Sequence, residues 1–152
     1  MRYLFVDRIV TLESGRRIVA EKLVSRTEVH GRRLRASQIL ETMAQAAGWL
    51  AKESHAFARL PLLAKVPELE ILRRPQAGEK LRVEARVDGR VSDCLSLSVT
   101  LEAEGELVAR GQLLLYLLQP PAERGSELAD LAREHFHYLT QAPTRRVLSS
   151  LQ

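Results

Sequence analysis

The segment from Ile39 to Ala51 constrains the fold more than any other part of this chain. It has helical length and is apolar on nearly every face, broken near its start by one carboxylate, Glu41. A helix that is apolar all round has to be covered on all sides, so other parts of the chain must wrap it. Suitable material follows. Leu81, Val83, Ala85 and Val87 alternate with Arg82, Glu84 and Arg86, and Leu95, Leu97, Val99, Leu101 and Ala103 alternate with Ser96, Ser98, Thr100 and Glu102. Period two marks strands with one buried face. The expected class is α+β: a curved antiparallel sheet wrapped around one long central helix.

Turn residues divide the remainder. Ser14-Gly15 separates two apolar runs and predicts a first hairpin over residues 3–13 and 17–24. Residues 25–36 are polar and read as a loop. Ser37 is the expected N-cap of the helix, which then runs to about His55. Glu68 to Arg74 is expected as a strand ending before Pro75, with turns at Gln76-Ala77-Gly78, Asp88-Gly89 and Glu104-Gly105. The last strand, Leu107 to Leu118, is apolar on both sides at its end, which predicts cover on both faces, by the helix and by a second chain or the tail. Beyond Gln119-Pro120-Pro121, the spacing of Leu128, Leu131, Ala132 and Leu139 predicts an appended surface helix over Ser126–Leu139 with an irregular end. The chain thus divides into residues 1–118 and a C-terminal extension, 119–152.

With 152 residues, the chain can bury the core of one domain. No run approaches the ~18 apolar residues of a membrane span, and Asp7 interrupts the N-terminus too early for a secretory signal, so a cytoplasmic protein is expected. The single cysteine, Cys94, excludes an internal disulfide and a thiolate metal cluster. His135 and His137 diverge on a helix, and no third ligand accompanies them, so no metal is assigned. The net charge of +4 and pI near 9.6 rest largely on arginine, clustered at Arg32-Arg33 with Arg35 and at Arg73-Arg74. Such a surface attracts acidic partners. Without a nucleic-acid-binding motif beside it, nucleic acid is not the expected one.

Three segments resemble the hotdog-fold 3-hydroxyacyl-(acyl carrier protein) dehydratases of the FabZ type. Leu4 to Ile9 with Ser14 to Ala20 is similar to the family's opening hairpin. Leu40-Glu41-Thr42-Met43-Ala44-Gln45-Ala46-Ala47-Gly48 resembles its central-helix signature, and Leu72-Arg73-Arg74-Pro75 with Gly78 and Leu81 resembles the start of the sheet's return. The resemblance implies Glu41 as catalytic acid, a homodimer with the site at the subunit boundary, and a thioester on the phosphopantetheine of an acyl carrier protein, or an acyl-CoA, with no further cofactor. It departs at the family's catalytic histidine, which sits in Gly-His-Phe-Pro-Gly. Here Glu28 to Ser37 is shorter and lacks both Pro-Gly steps, and His30 is its only histidine.

Dehydration of a β-hydroxyacyl thioester needs a base for the C2 proton and an acid for the leaving hydroxyl. His30 is the candidate base. Glu41 is the candidate acid, provided that burial against Ile39, Leu40 and Met43 raises its pKa. Gln45 and Gly48 lie four and seven residues on and share the face of Glu41: Gln45 as a hydrogen-bonding group, Gly48 as room for an acyl chain. Backbone N–H groups of Ser37 to Leu40 are the expected donors to the thioester oxygen. The expected activity is that of a dehydratase, hence a lyase, in fatty-acid or related biosynthesis. A catalytically silent acyl-binding subunit and a hotdog acyl thioesterase stand as alternatives, since fold alone does not choose among them.

Overall fold

The computed structural model describes residues 6–150, with side chains through Thr140. Six strands and two helices follow in the order β1 (Arg8–Glu13), β2 (Arg17–Leu23), α1 (Ala36–Ser54), β3 (Leu60–Ile71), β4 (Lys80–Val91), β5 (Cys94–Ala103), β6 (Glu106–Leu118) and α2 (Gly125–Ser150). All strands join one antiparallel sheet in the order β1-β2-β4-β5-β6-β3. The alternating residues behave as their period requires. Leu81, Val83, Ala85, Leu97, Leu101 and Ala103 are fully buried on the concave face, where they meet Ile39, Met43, Ala46, Ala47 and Leu50 of α1.

Several boundaries differ from those expected, each for a physical reason. The N-cap of α1 is Arg35, not Ser37: the Gln38 side chain reaches back to accept the Arg35 N–H at 2.8 Å, and Leu34 is fully buried beside it. Asp88-Gly89 is no turn; the register shifts there, and the hairpin turns at Ser92-Asp93, with Ser92 at φ 56°. Strand β3 begins at Leu60 rather than Glu68 and runs through Pro61 and Pro67. Among the named strands it pairs only with β6, and an edge strand tolerates residues that lack an N–H; the register slips between Leu63 and Glu68, around Pro67. The start expected for the first strand, at Tyr3, lies outside the described residues.

The appended C-terminal helix is present, longer than Ser126–Leu139, and docks on the rest of the chain. It packs against β1, Leu139 is fully buried, and Phe136 lies 5.3 Å from Phe57 and 6.0 Å from Trp49, centroid to centroid. Leu131, expected on the packed stripe, is exposed instead. Within the single chain the end of β6 is covered on one face only, and the described part of the tail does not supply the second cover. Leu113, Leu115 and Leu117 are buried, whereas Tyr116 and Leu118 remain exposed on the convex face.

Candidate active site on the open face of the central helix

Helix α1 is buried on the sides that carry Ile39, Met43, Ala46, Ala47 and Leu50, and less so along one stripe: Glu41, Gln45, Gly48 and Lys52. Their spacing of four, three and four residues puts them on one face. At 1.5 Å per residue the stripe extends about 16 Å. A cavity of about 430 Å³ opens over it. Its floor is this stripe with Ala44 and Trp49; the edge strand supplies Pro61 and Leu63, β6 supplies Leu115, and α2 supplies His135. Three of the four residues singled out from sequence thus share one cavity.

Their environment is not the one expected. Glu41 is exposed, and it lies past the first helical turn, where the helix dipole has little effect. Ile39 and Met43, two residues to either side, point some 200° away into the core. The N–H groups of Gln38 and Ile39 both donate to the Arg35 carbonyl at 3.1 Å, so neither is available to a thioester oxygen. His30 does not reach the cavity of its own chain. It is exposed, its N–H donates to the Arg33 carbonyl at 3.0 Å, and its Nδ1 lies 3.3 Å from Arg35 Nη2.

The cavity also holds groups the sequence reading left aside. Lys52 is half-buried, with Nζ 4.4 Å from the centre of the Trp49 ring; loss of solvation lowers its pKa. Trp49 is only 4% exposed and meets the His135 imidazole edge-to-face at 4.9 Å. Lys52 was within reach of the helical spacing that linked Glu41 to Gly48. His135 was not, because no periodicity reports where a distant helix docks. Among the described residues no cluster of three or more His, Cys, Asp or Glu side chains is placed to hold a metal ion, and no helix is long and apolar enough to cross a membrane.

The two arginine clusters, forty residues apart in sequence, meet near the start of α1. Arg33 Nη1 donates to the Arg74 carbonyl at 2.7 Å, and the Leu34 N–H to the Pro75 carbonyl at 2.9 Å, leaving Arg32, Arg35 and Arg74 exposed.

No protein-family model and no curated protein matches this sequence. Solved structures do match the fold. Protein smu.793 of Streptococcus mutans, bound to acetyl-CoA, is similar with a TM-score of 0.67 at 15% identity, over 78% of this chain and 94% of that one. A hypothetical thioesterase of Streptococcus pneumoniae with coenzyme A gives 0.65 at 10% identity, over 76% and 90%. The PaaI protein of the Escherichia coli phenylacetic acid degradation operon gives 0.64 at 14%, over 72% and 78%. This chain has the hotdog fold. The dehydratase expectation does not survive with it. The functional name that recurs among the hotdog structures is thioesterase, and Glu41, expected as a buried acid, is exposed in the chain. The lyase and fatty-acid biosynthesis readings fall with the dehydratase.

Proposed function

We propose that this hotdog chain is an acyl-thioester hydrolase acting on acyl-CoA, with Glu41 as the general base. The observation that carries the reading is the Glu41–Gln45–Gly48 stripe opening onto the 430 Å³ cavity. Exposure, which removes the acid role, suits this one: water reaches the carboxylate directly. Glu41 holds a water against the thioester carbonyl and accepts its proton as the oxygen adds to carbon. The tetrahedral adduct collapses with cleavage of the C–S bond, and the proton passes to the departing thiolate. The products are a carboxylic acid and a free thiol. Gln45, one turn on, is within reach of the carbonyl oxygen or the water, and Gly48 leaves space for the acyl chain. Coenzyme A as the carrier is supported by two similar structures that hold acetyl-CoA or CoA. The exposed Arg32, Arg35 and Arg74 form a surface for its phosphates.

The working unit in this reading is a homodimer joined along β3. Strand β3 is a long sheet edge, and Leu62, Leu63, Ala64 and Lys65 are exposed in succession, on both faces. An apolar edge of this kind is a template for pairing with another chain. Pro61 and Leu63 line the cavity from that edge, so a second copy here would wall the open side.

Thiol release from an acyl-CoA series tests the activity. The wild type is expected to liberate CoA, and Glu41→Gln to lose about 10²–10⁴-fold in kcat. Full activity in Glu41→Gln would remove Glu41 from the mechanism.

A further inference from the structure

The end of the cavity remote from Glu41 has its own chemistry. Lys52 stands about 16 Å along the helix from Glu41, its ammonium drawn partly out of water over the face of Trp49. Among the described residues no carboxylate lies within ion-pair distance of it. Trp49 contributes a second donor. Its Nε1–H is buried and has no hydrogen-bond acceptor among the described residues, although a buried indole N–H ordinarily finds one. The third wall is the His135 imidazole from α2, perpendicular to the Trp49 ring. An ammonium at a helix C-terminus is often only a complement to the helix dipole. That role needs no burial, no aromatic platform and no second donor left without an acceptor.

We propose that Lys52, Trp49 and His135 form a subsite for an anionic oxygen group, a carboxylate or phosphate, carried by the thioester substrate at the end remote from its reacting carbonyl. The inference rests on the thioester reading for the identity of the substrate. An anion here pairs with the ammonium, and a small shift of the Trp49 ring that opens its buried N–H to the cavity would let the same ligand group satisfy both donors. The C-terminal extension is then part of the binding site, because it supplies the third wall. Two sources provide the anion: a distal carboxylate on the acyl chain, or a phosphate of coenzyme A. The arginine surface lies at the opposite end of α1 and already suits the carrier's phosphates, which favours the acyl-borne carboxylate.

Trp49 is the only tryptophan in the chain, so its fluorescence reports on this subsite without any turnover. The experiment titrates the full-length protein with matched probes: a medium-chain α,ω-dicarboxylic acid half-thioester of N-acetylcysteamine, the corresponding monocarboxylic thioester, coenzyme A and pantetheine. Measurements are made on wild type, Lys52→Met, Lys52→Arg and Glu41→Gln, the last to suppress hydrolysis. If the anion is acyl-borne, the carboxylated thioester binds about 10- to 100-fold more tightly than its uncharged partner. Lys52→Met erases that difference, and Lys52→Arg retains most of it. If the anion belongs to the carrier, coenzyme A outbinds pantetheine by a similar factor, with the same dependence on Lys52. Equal binding within both pairs, or a preference that persists in folded Lys52→Met, overturns the subsite. The two readings fail separately: thiol release with no anion preference sinks only the subsite, and anion-dependent fluorescence with no thiol release sinks only the hydrolase.

Discussion

Replacing Gly48 by alanine is expected to make the protein more stable and a worse catalyst. Gly48 is interior to the 19-residue helix α1, where glycine costs about 1 kcal/mol relative to alanine because it loses more backbone freedom on folding. A methyl group built there meets only Pro61 Cγ, at 3.7 Å, an ordinary van der Waals contact. Nothing offsets the helical gain, so Gly48→Ala should stabilise by about 0.5–1 kcal/mol. For a chain of this size that is a rise in Tm of about 1–4 °C. The same methyl adds bulk to the cavity lining, between Glu41 and Lys52 on the stripe. Hydrolysis of longer acyl thioesters should therefore fall more than that of acetyl-CoA. Urea unfolding followed by circular dichroism gives the first quantity, and kcat/KM across acyl-CoA lengths gives the second. A variant less stable than wild type by more than 1 kcal/mol, with equal losses on all substrates, would show that Gly48 serves packing and that the cavity is not the acyl passage.

Three other perturbations test different links. Gly111→Ala should destabilise by about 1–3 kcal/mol or more, because its methyl would sit 2.6 Å from the Glu68 carbonyl oxygen and 3.3 Å from Leu69 Cα, in backbone that cannot give way without parting β3 from β6; an unchanged urea midpoint contradicts that packing. Two hydrogen bonds from Arg73, at 2.7 and 3.0 Å, and one from the Gln76 N–H hold the pKa of Glu79 below its ordinary value of 4.5. A depressed carboxylate stabilises the folded state above its unfolded pKa and loses that contribution as pH falls through the folded value. The stability gap between wild type and Glu79→Gln should therefore be full near pH 7 and close in acid, and a gap independent of pH contradicts the ion pair. Leu62→Lys, at a residue 51% exposed on the edge strand, should leave single-chain stability within about 0.5 kcal/mol while light scattering shows the mass falling from two chains to one. An unaltered mass moves the dimer contact elsewhere.

The sheet was legible because its information is local. Leu81 to Val87 and Leu95 to Ala103 alternate without a break, and Gly15 and Gly105 mark two of the hairpin turns with positive φ. Strand β3 was not, because Pro61 and Pro67 argue against a strand unless it is known to lie at an edge, and edges are decided by topology. Burial around α1 was misjudged for a related reason. Composition shows how apolar a helix is, not which stripe the sheet leaves open, and here that stripe begins at Glu41. Helical spacing did group Glu41, Gln45 and Gly48 correctly, since it depends on α1 alone. His135 enters the cavity through the docking of α2 on β1 and Trp49, a contact between residues 86 positions apart that no local pattern announces.

The central claim, that Glu41 acts on a thioester bond in the cavity beside it, is tested most directly by following 3-hydroxyacyl-CoA and saturated acyl-CoA with wild type, Glu41→Gln and His30→Ala in parallel. The account predicts free thiol from the wild type, its loss in Glu41→Gln, and a rate close to wild type in His30→Ala. Enoyl-CoA formed without thiol release, abolished by His30→Ala, would contradict it.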